Sequence, residues 1–364
     1  MHLPARAASA ILLLALVVGI AACSPAGASG HTDAGPATPK LASVTPLEDP
    51  HAATGGSTAV AGSTGIDPVT DGEQVLPTAL IDSQGTQVTV TDTSRILALD
   101  IYGSLSRIVF ELGLGDNVVA RDVSTAFPEA ADLPLVTENG HDLNAEAILE
   151  IAPTVILTDT SLGPWDVILQ MRDAGIPVVV LDSARSTENV DELIQTVAAA
   201  LGVPERGEVL AARTQSAIDD KLAEIAAVAP ESDADKLRMV FLYVRGQAGV
   251  YYMFGEGSGA QSLISALGGY DVAAEIDWQG MRPVTDEGLI AAQPELILMM
   301  TKGLESVDGV DGLLEALPAL AQTPAGQSKR IVDMSDTEIL SFGPATADVL
   351  DALAVAVYAP DEAR

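Results

Sequence analysis

The feature that most constrains the fold of this chain is an internal repeat of fourteen residues. Residues 144–157 align without gaps on residues 285–298. In each copy a residue that favours a helix N-cap, Asn144 or Thr285, precedes a helical pattern with a glutamate in its first turn. A proline then introduces a short apolar run typical of a buried strand. The repeat predicts two related lobes with a cleft between them.

The rest of the pattern extends each copy of the repeat into an α/β lobe. The predicted strands are residues 95–100, 118–120, 154–157, 176–181, 238–244, 296–300 and 330–334. Each is separated from the next by enough residues for a helix, such as the amphipathic stretch 104–113. Residues 187–229 lack strand patterns and predict two successive helices, the second one long. The predicted organisation is an N-terminal lobe (78–185), a connecting helical region (186–235) and a C-terminal lobe (236–360).

The N-terminus is typical of a secreted lipoprotein. Residues 1–22 carry one charge, Arg6, and an apolar run that is too short for a confident membrane span. The small residues before Cys23 resemble the lipobox of bacterial lipoproteins, so Cys23 is the expected lipidation site. The alternative is ordinary cleavage that leaves a free thiol. Since Cys23 is the only cysteine of the chain, a disulfide framework is excluded.

Two further features of composition bear on function. Residues 23–77 are rich in Ala, Gly, Ser, Thr and Pro and contain no aromatic residue, which predicts a flexible tether. The net charge is −33, from 18 basic and 51 acidic side chains. That charge argues against nucleic acid or anionic lipid as a partner, because both favour basic surfaces.

A single histidine and a tyrosine are the main candidates for binding residues. His141 is the only histidine in the predicted lobes and lies in a loop between strand and helix patterns. Strand alternation places Phe241, Tyr243 and Arg245 on one face, so the guanidinium can lie next to the phenol oxygen and favour phenolate. The alternatives are a surface-loop histidine, an ordinary strand tyrosine and an arginine in a surface ion pair.

Together, the lipobox, tether, related lobes and long helix resemble the bacterial substrate-binding lipoproteins of heme, cobalamin and siderophore ABC importers. The resemblance covers residues 1–360. The motif Tyr243-x-Arg245 with an upstream loop histidine is similar to the HmuT-type heme-binding proteins of actinobacterial heme uptake systems. This resemblance implies a class III periplasmic-type fold, in which two three-layer α/β lobes are joined by a rigid helix and the ligand is held in the cleft.

The resemblance also implies a function without catalysis. A monomer anchored through Cys23 at the extracytoplasmic face of the membrane would capture ferric heme b and pass it to an ABC permease and its ATPase. His141 and Tyr243 would be the axial ligands, supported by Arg245. Glu146 and Glu287, at equivalent positions of the repeat, would dock onto permease arginines. Their alternative role is to stabilise the helix dipole from its first turn.

Several large side chains are candidates for the wall of the cleft, with ordinary packing as the alternative. They are Tyr102, Tyr251, Tyr252, Trp278, Met281 and Arg282. A siderophore or a corrinoid is the alternative ligand, and a corrinoid would need no phenolate. An exported hydrolase has little support because the sequence lacks a Gly-x-Ser-x-Gly elbow and a second histidine in the lobes. A structural surface protein would account for the tether but not for His141 and the Tyr-x-Arg motif.

Overall fold

A computed structural model describes residues 36–62 and 65–364. The predicted signal peptide, residues 1–22, and the predicted lipidation site Cys23 lie outside the described residues. The strands are β1 Ser57–Ala59, β2 Thr78–Ile81, β3 Gln87–Val90, β4 Ile96–Leu99, β5 Thr137–Glu138, β6 Asp142–Leu143, β7 Val155–Thr158, β8 Val178–Val180, β9 Arg238–Arg245, β10 Val250–Phe254, β11 Tyr270–Asp271, β12 Met281–Pro283, β13 Leu296–Met300 and β14 Ile331–Met334. The helices are α1 Ser104–Val109, α2 Ala145–Ile151, α3 Trp165–Asp173, α4 Val190–Ala200, α5 Pro204–Ala226, α6 Ala260–Ala266, α7 Asp286–Ala292, α8 Thr301–Glu305, α9 Gly309–Ala316, α10 Pro324–Ser328 and α11 Thr346–Tyr358.

The N-terminal lobe is built on a parallel sheet in the order β4-β7-β8. Every residue of these strands is buried, as expected for parallel strands covered on both faces. Two antiparallel hairpins, β2–β3 and β5–β6, accompany the sheet. The strand predicted at residues 118–120 is wrong: Val118 forms only an isolated bridge to Ile96.

The C-terminal lobe contains a larger mixed sheet in the order β1-β14-β13-β9-β10-β12, with β11 paired to β9. The strands β1, β14, β13 and β9 run parallel, and β10 and β12 continue the sheet antiparallel. The helix α11 packs beneath it and is almost wholly buried. At the antiparallel end of the sheet the three residues of β12 are all exposed.

The helices α4 and α5 connect the two lobes, as predicted for residues 187–229. The 23 residues of α5 span about 34 Å, which is enough to cross from one lobe to the other. The predicted fold class, two α/β lobes joined by a long helix, is confirmed.

The prediction of a flexible tether up to residue 77 is wrong for the part that the structure describes. Residues 36–62 and 65–77, here called the N-terminal strap, pack along both lobes. Ala59 of the edge strand β1 is 1% exposed, and the Val69 N–H donates to the Glu111 carbonyl at 2.7 Å. Since β1 is held by backbone hydrogen bonds to β14, it needs no apolar pattern of its own.

The two copies of the repeat fold alike. The Asn144 side chain caps α2 by accepting from the Ala147 N–H at 3.0 Å, and the Thr285 hydroxyl caps α7 by accepting from the Gly288 N–H at 3.0 Å. Each helix ends in a residue of left-handed conformation, and a buried parallel strand follows. The helices and strands predicted from the repeat are confirmed.

Candidate functional site

Three candidate residues share one face of the C-terminal sheet. In the antiparallel register, Tyr243 on β9 lies opposite Tyr252 on β10, and Phe254 lies between Phe241 and Met281 on the neighbouring strands. Directly opposite residues of an antiparallel pair point to the same side of the sheet. Tyr243, Tyr252 and Met281 therefore belong to one surface, and Met281 is 55% exposed on it.

Aromatic packing holds the Tyr243 ring in place. The ring stacks on Phe254 with centroids 6.0 Å apart, and Phe254 stacks on Phe241 at 5.0 Å. Both phenylalanines are buried, whereas Tyr243 is only half-buried. The phenol is thus supported from below by a rigid aromatic stack and remains accessible from above.

Arg245 lies against the same tyrosine, as the strand alternation predicts, but over its ring. The guanidinium carbon is 4.4 Å from the Tyr243 ring centroid. One guanidinium nitrogen donates to the Asp336 carboxylate at 2.5 Å and lies 4.0 Å from the Met300 sulfur. Asp336 and Met300 were missed in the sequence because they lie far along the chain and carry no local motif. The ion pair fixes the position of the cation.

His141 lies in the N-terminal lobe, in the turn of the β5–β6 hairpin. The preceding Asn139–Gly140 turn has positive φ angles of 48° and 95°, and the histidine is exposed. Partial loss of hydration, and then the positive charge of Arg245, lower the pKa of His141 below its ordinary value. Asp336 and Lys302 also act on it, in opposite directions. These three charges belong to the C-terminal lobe, so charges of that lobe act on the His141 imidazole.

The other predicted wall residues separate into two groups. Tyr252 and Met281 lie on the Tyr243 face, as described above. Tyr251 and Trp278 instead pack against the core on the opposite side of the sheet, where the indole N–H donates to the Met253 carbonyl at 2.8 Å. Arg282 is paired with Met253 and therefore points away from the Tyr243 face. Alternation alone could not decide which of two adjacent side chains faces the cleft.

Tyr102 lies in the N-terminal lobe and is half-buried. The Arg185 guanidinium carbon is 5.1 Å from its ring centroid. Burial raises the pKa of the Tyr102 phenol, so the group remains neutral.

A buried acidic cluster lies around Arg185. Asp100, Asp122 and Asp159 are all 0% exposed, and two of them follow directly on β4 and β7. Arg185 donates to Asp159 at 2.7 Å and lies 3.5 Å from Asp100. Burial and the charge of Asp100 raise the pKa of Asp122 to about 7 and that of Asp159 to about 6. With one guanidinium for three carboxyl groups, the cluster retains protons.

The two glutamates of the repeat, Glu146 and Glu287, lie in the first turns of α2 and α7 and are both exposed. Neither forms a salt bridge with another residue of the described chain. Their carboxylates are therefore available to an external partner.

No helix among the described residues is long and apolar enough to cross a membrane. Over the same residues, no group of three or more His, Cys, Asp or Glu side chains is placed to hold a metal ion.

Two α/β lobes joined by a long helix, one with a tyrosine and an arginine packed together on its sheet and the other with a histidine in a hairpin turn, define a substrate-binding protein of the periplasmic type. The profile of the family described as "Periplasmic binding protein" matches residues 101–337, and the chain belongs to this family.

The chain is also similar to particular proteins. Solved structures of the heme binding protein HmuT share 40–41% identity with it at TM-scores of 0.80–0.82, covering 85–87% of this chain and 97–99% of those chains. They include variants in which a tyrosine, the arginine two residues later, or a histidine is replaced by alanine. The ABC transporter substrate-binding lipoprotein YvrC of Bacillus subtilis is 24% identical over 79% of this chain and 87% of its own length. A cobalamin-binding protein of Halobacterium salinarum is 24% identical over 76% of this chain and 73% of its own length.

Proposed function

We propose that this protein captures ferric heme in the cleft between its lobes, with Tyr243 and His141 as the axial ligands. The observation that carries the proposal is the arrangement of three residues. Tyr243 is held on an aromatic stack with Arg245 over its ring, and the charge of Arg245 acts on His141 across the cleft. The similarity to HmuT, of which tyrosine, arginine and histidine variants have been solved, supports the same three residue types.

The surroundings of these residues suit a flat, largely apolar ring. Tyr252 and the exposed Met281 extend the Tyr243 face sideways and would contact the macrocycle. A phenolate oxygen is an axial ligand that heme proteins use, and Arg245 would offset its charge. Since the pKa of His141 is lowered, its imidazole is neutral near pH 7 and has a free lone pair for iron.

The proposed role is transport without a chemical step. The protein would deliver heme to an ABC permease and its ATPase, and Glu146 and Glu287 would contact basic side chains of that permease. A lipid on Cys23 would hold the monomer at the extracytoplasmic face of the membrane. The similarity to a substrate-binding lipoprotein supports this placement.

A corrinoid is the second candidate ligand, because the cobalamin-binding protein of Halobacterium salinarum is among the similar proteins. The two candidate ligands differ in the side chains that they require in the cleft. A corrinoid has no need of a phenolate ligand, so the Tyr243 and Arg245 pair favours heme.

Parallel titrations with hemin and cyanocobalamin test the proposal. We expect hemin to give a shifted Soret band that saturates, and cyanocobalamin to leave both the protein fluorescence and the hemin titration unchanged. Tighter binding of cyanocobalamin, or a hemin spectrum identical to that of hemin in buffer, would overturn the assignment of heme.

A further inference from the structure

Each lobe exposes an aliphatic side chain beside its glutamate. Leu149 is 46% exposed and Ile290 is 39% exposed, and the two occupy equivalent positions in the repeat. Each lies three residues after the glutamate of its own helix, Glu146 or Glu287. Residues three apart are neighbours on a helix surface. Both lobes therefore present the same pair, one carboxylate next to one aliphatic group.

The exposure of these aliphatic groups does not come from poor packing of the helices. The residue before each one, Ile148 or Leu289, is 0% exposed and fills the core of its lobe. Each helix thus buries one aliphatic residue and presents the next one to solvent.

In both lobes an arginine at the start of a neighbouring strand fixes the C-terminus of the helix. Arg95 precedes β4 and donates to the carbonyl of Ala152 at the end of α2, at 3.0 Å. Arg238 begins β9 and donates to the carbonyl of Ala292 at the end of α7, at 2.9 Å. Both arginines donate to the carbonyl of the last residue of their helix and to that of the C-cap residue after it. Together with the N-caps, these contacts hold both helices rigidly, so each surface pair is presented in a fixed position.

The two pairs also lie at corresponding edges of their lobes. The helix α2 runs into the parallel strand β7, and α7 runs into β13. A helix that precedes a parallel strand begins near the carboxyl edge of the sheet, the edge at which open α/β sheets bind ligands. Each pair therefore lies at the carboxyl edge of the sheet of its lobe.

We propose that Glu146 with Leu149 and Glu287 with Ile290 form two equivalent docking pairs for the permease. The inference rests on the proposed transport function. The partner chemistry is a basic side chain next to an apolar depression, presented twice. The carboxylate would orient the protein on the permease, and burial of the aliphatic group would contribute most to slowing the dissociation of the complex. A charge contact alone would leave two apolar groups exposed at matched positions without a role.

The test uses the permease and ATPase of the same importer reconstituted in liposomes, with ATPase stimulation by the heme-loaded protein as readout. Leu149→Gln and Ile290→Gln are each expected to raise the half-saturating protein concentration roughly tenfold, in line with the loss of a central apolar contact. Leu169→Gln is the matched control. Leu169 is 43% exposed on α3 but has no counterpart in the repeat, and its replacement should leave stimulation unchanged.

Heme binding, followed by the Soret band, should be the same in all these variants. The inference is overturned if the Leu149→Gln, Ile290→Gln double variant stimulates like the wild type, or if Leu169→Gln is impaired as much as Leu149→Gln. Failure of the proposed function gives a different result, because the wild-type protein would then bind no hemin or would not stimulate the ATPase. That result would overturn the docking pairs as well.

Discussion

Replacing Asp122 by asparagine should change how the stability of this protein depends on pH. The carboxyl group is fully buried, and its burial and the charge of Asp100 raise its pKa to about 7. An unfolded chain binds the same proton with a pKa of about 3.9. As pH rises between these two values, the unfolded state releases a proton that the folded state keeps, so the free energy of unfolding falls.

The size of the effect follows from the pKa difference. Each unit corresponds to about 1.4 kcal/mol, and the folded group is half deprotonated at pH 7, so the wild type should lose about 2 kcal/mol between pH 5 and pH 7 through this group. Asparagine has the shape of the protonated acid and can still accept the Thr125 N–H, which lies 2.7 Å from Asp122. Its amide would face the Asp100 N–H, which donates to Asp122 at 3.0 Å, and the loss of that bond costs about 1 kcal/mol.

The variant should therefore be about 2 to 3 kcal/mol more stable than the wild type at pH 8, with the difference shrinking toward pH 5. Urea denaturation followed by circular dichroism at four pH values between 5 and 8 measures this difference. Asp116→Asn, at an exposed aspartate of the same lobe, is the control for a general change of charge. A difference between wild type and Asp122→Asn that stays constant with pH would refute the assignment of a raised pKa.

Three further predictions concern the cation, the strap and its histidine. Arg245→Gln removes the cation over the Tyr243 ring and should weaken hemin binding roughly tenfold. The affinity is measured by transfer of hemin to a competing apoprotein. An unchanged affinity would show that Arg245 does not contribute to the site. Ala59→Asp, at a buried position of β1, should lower the free energy of unfolding by about 3 kcal/mol, and an unchanged urea midpoint would mean that the strap is not packed. For His51, burial opposes the charged form, but the hydrogen bond to the Asp235 carbonyl and the charge of Glu295 raise its pKa. The stabilisation from the charged form of His51 is thus full below about pH 6.5 and disappears as pH rises through the folded-state pKa, so His51→Gln should cost more stability at pH 5.5 than at pH 8.5.

The central strands could be predicted from the sequence because their apolar pattern has one physical cause, burial of both faces of the sheet. Strands such as β4 and β7 are buried on both faces and read as continuous apolar runs bounded by polar residues. The repeat also predicted the helices α2 and α7, because the N-cap residues that start them bond to backbone groups only three residues away. The strap was missed because its strand β1 depends on backbone hydrogen bonds to β14, which lies more than 270 residues away.

Only those residues of the candidate site that share a local sequence motif could be predicted from the sequence. The alternation of Tyr243 and Arg245 depends on neighbouring residues, and the structure brings them together. Asp336 is joined to Arg245 by tertiary structure alone, and no pattern in the sequence indicates it. The choice of Tyr252 over Tyr251 depends on the register of β10 against β9. A register is set by packing and turn geometry, and an error of one residue reverses every assignment.

Visible spectra of the hemin complexes test the central claim most directly. The wild type, Tyr243→Phe, His141→Ala and the cross-strand control Tyr252→Phe would be titrated with hemin under identical conditions. If Tyr243 and His141 bind iron, each of their replacements changes the Soret and charge-transfer bands, and Tyr252→Phe keeps the wild-type spectrum. Wild-type spectra in both Tyr243→Phe and His141→Ala would contradict the account.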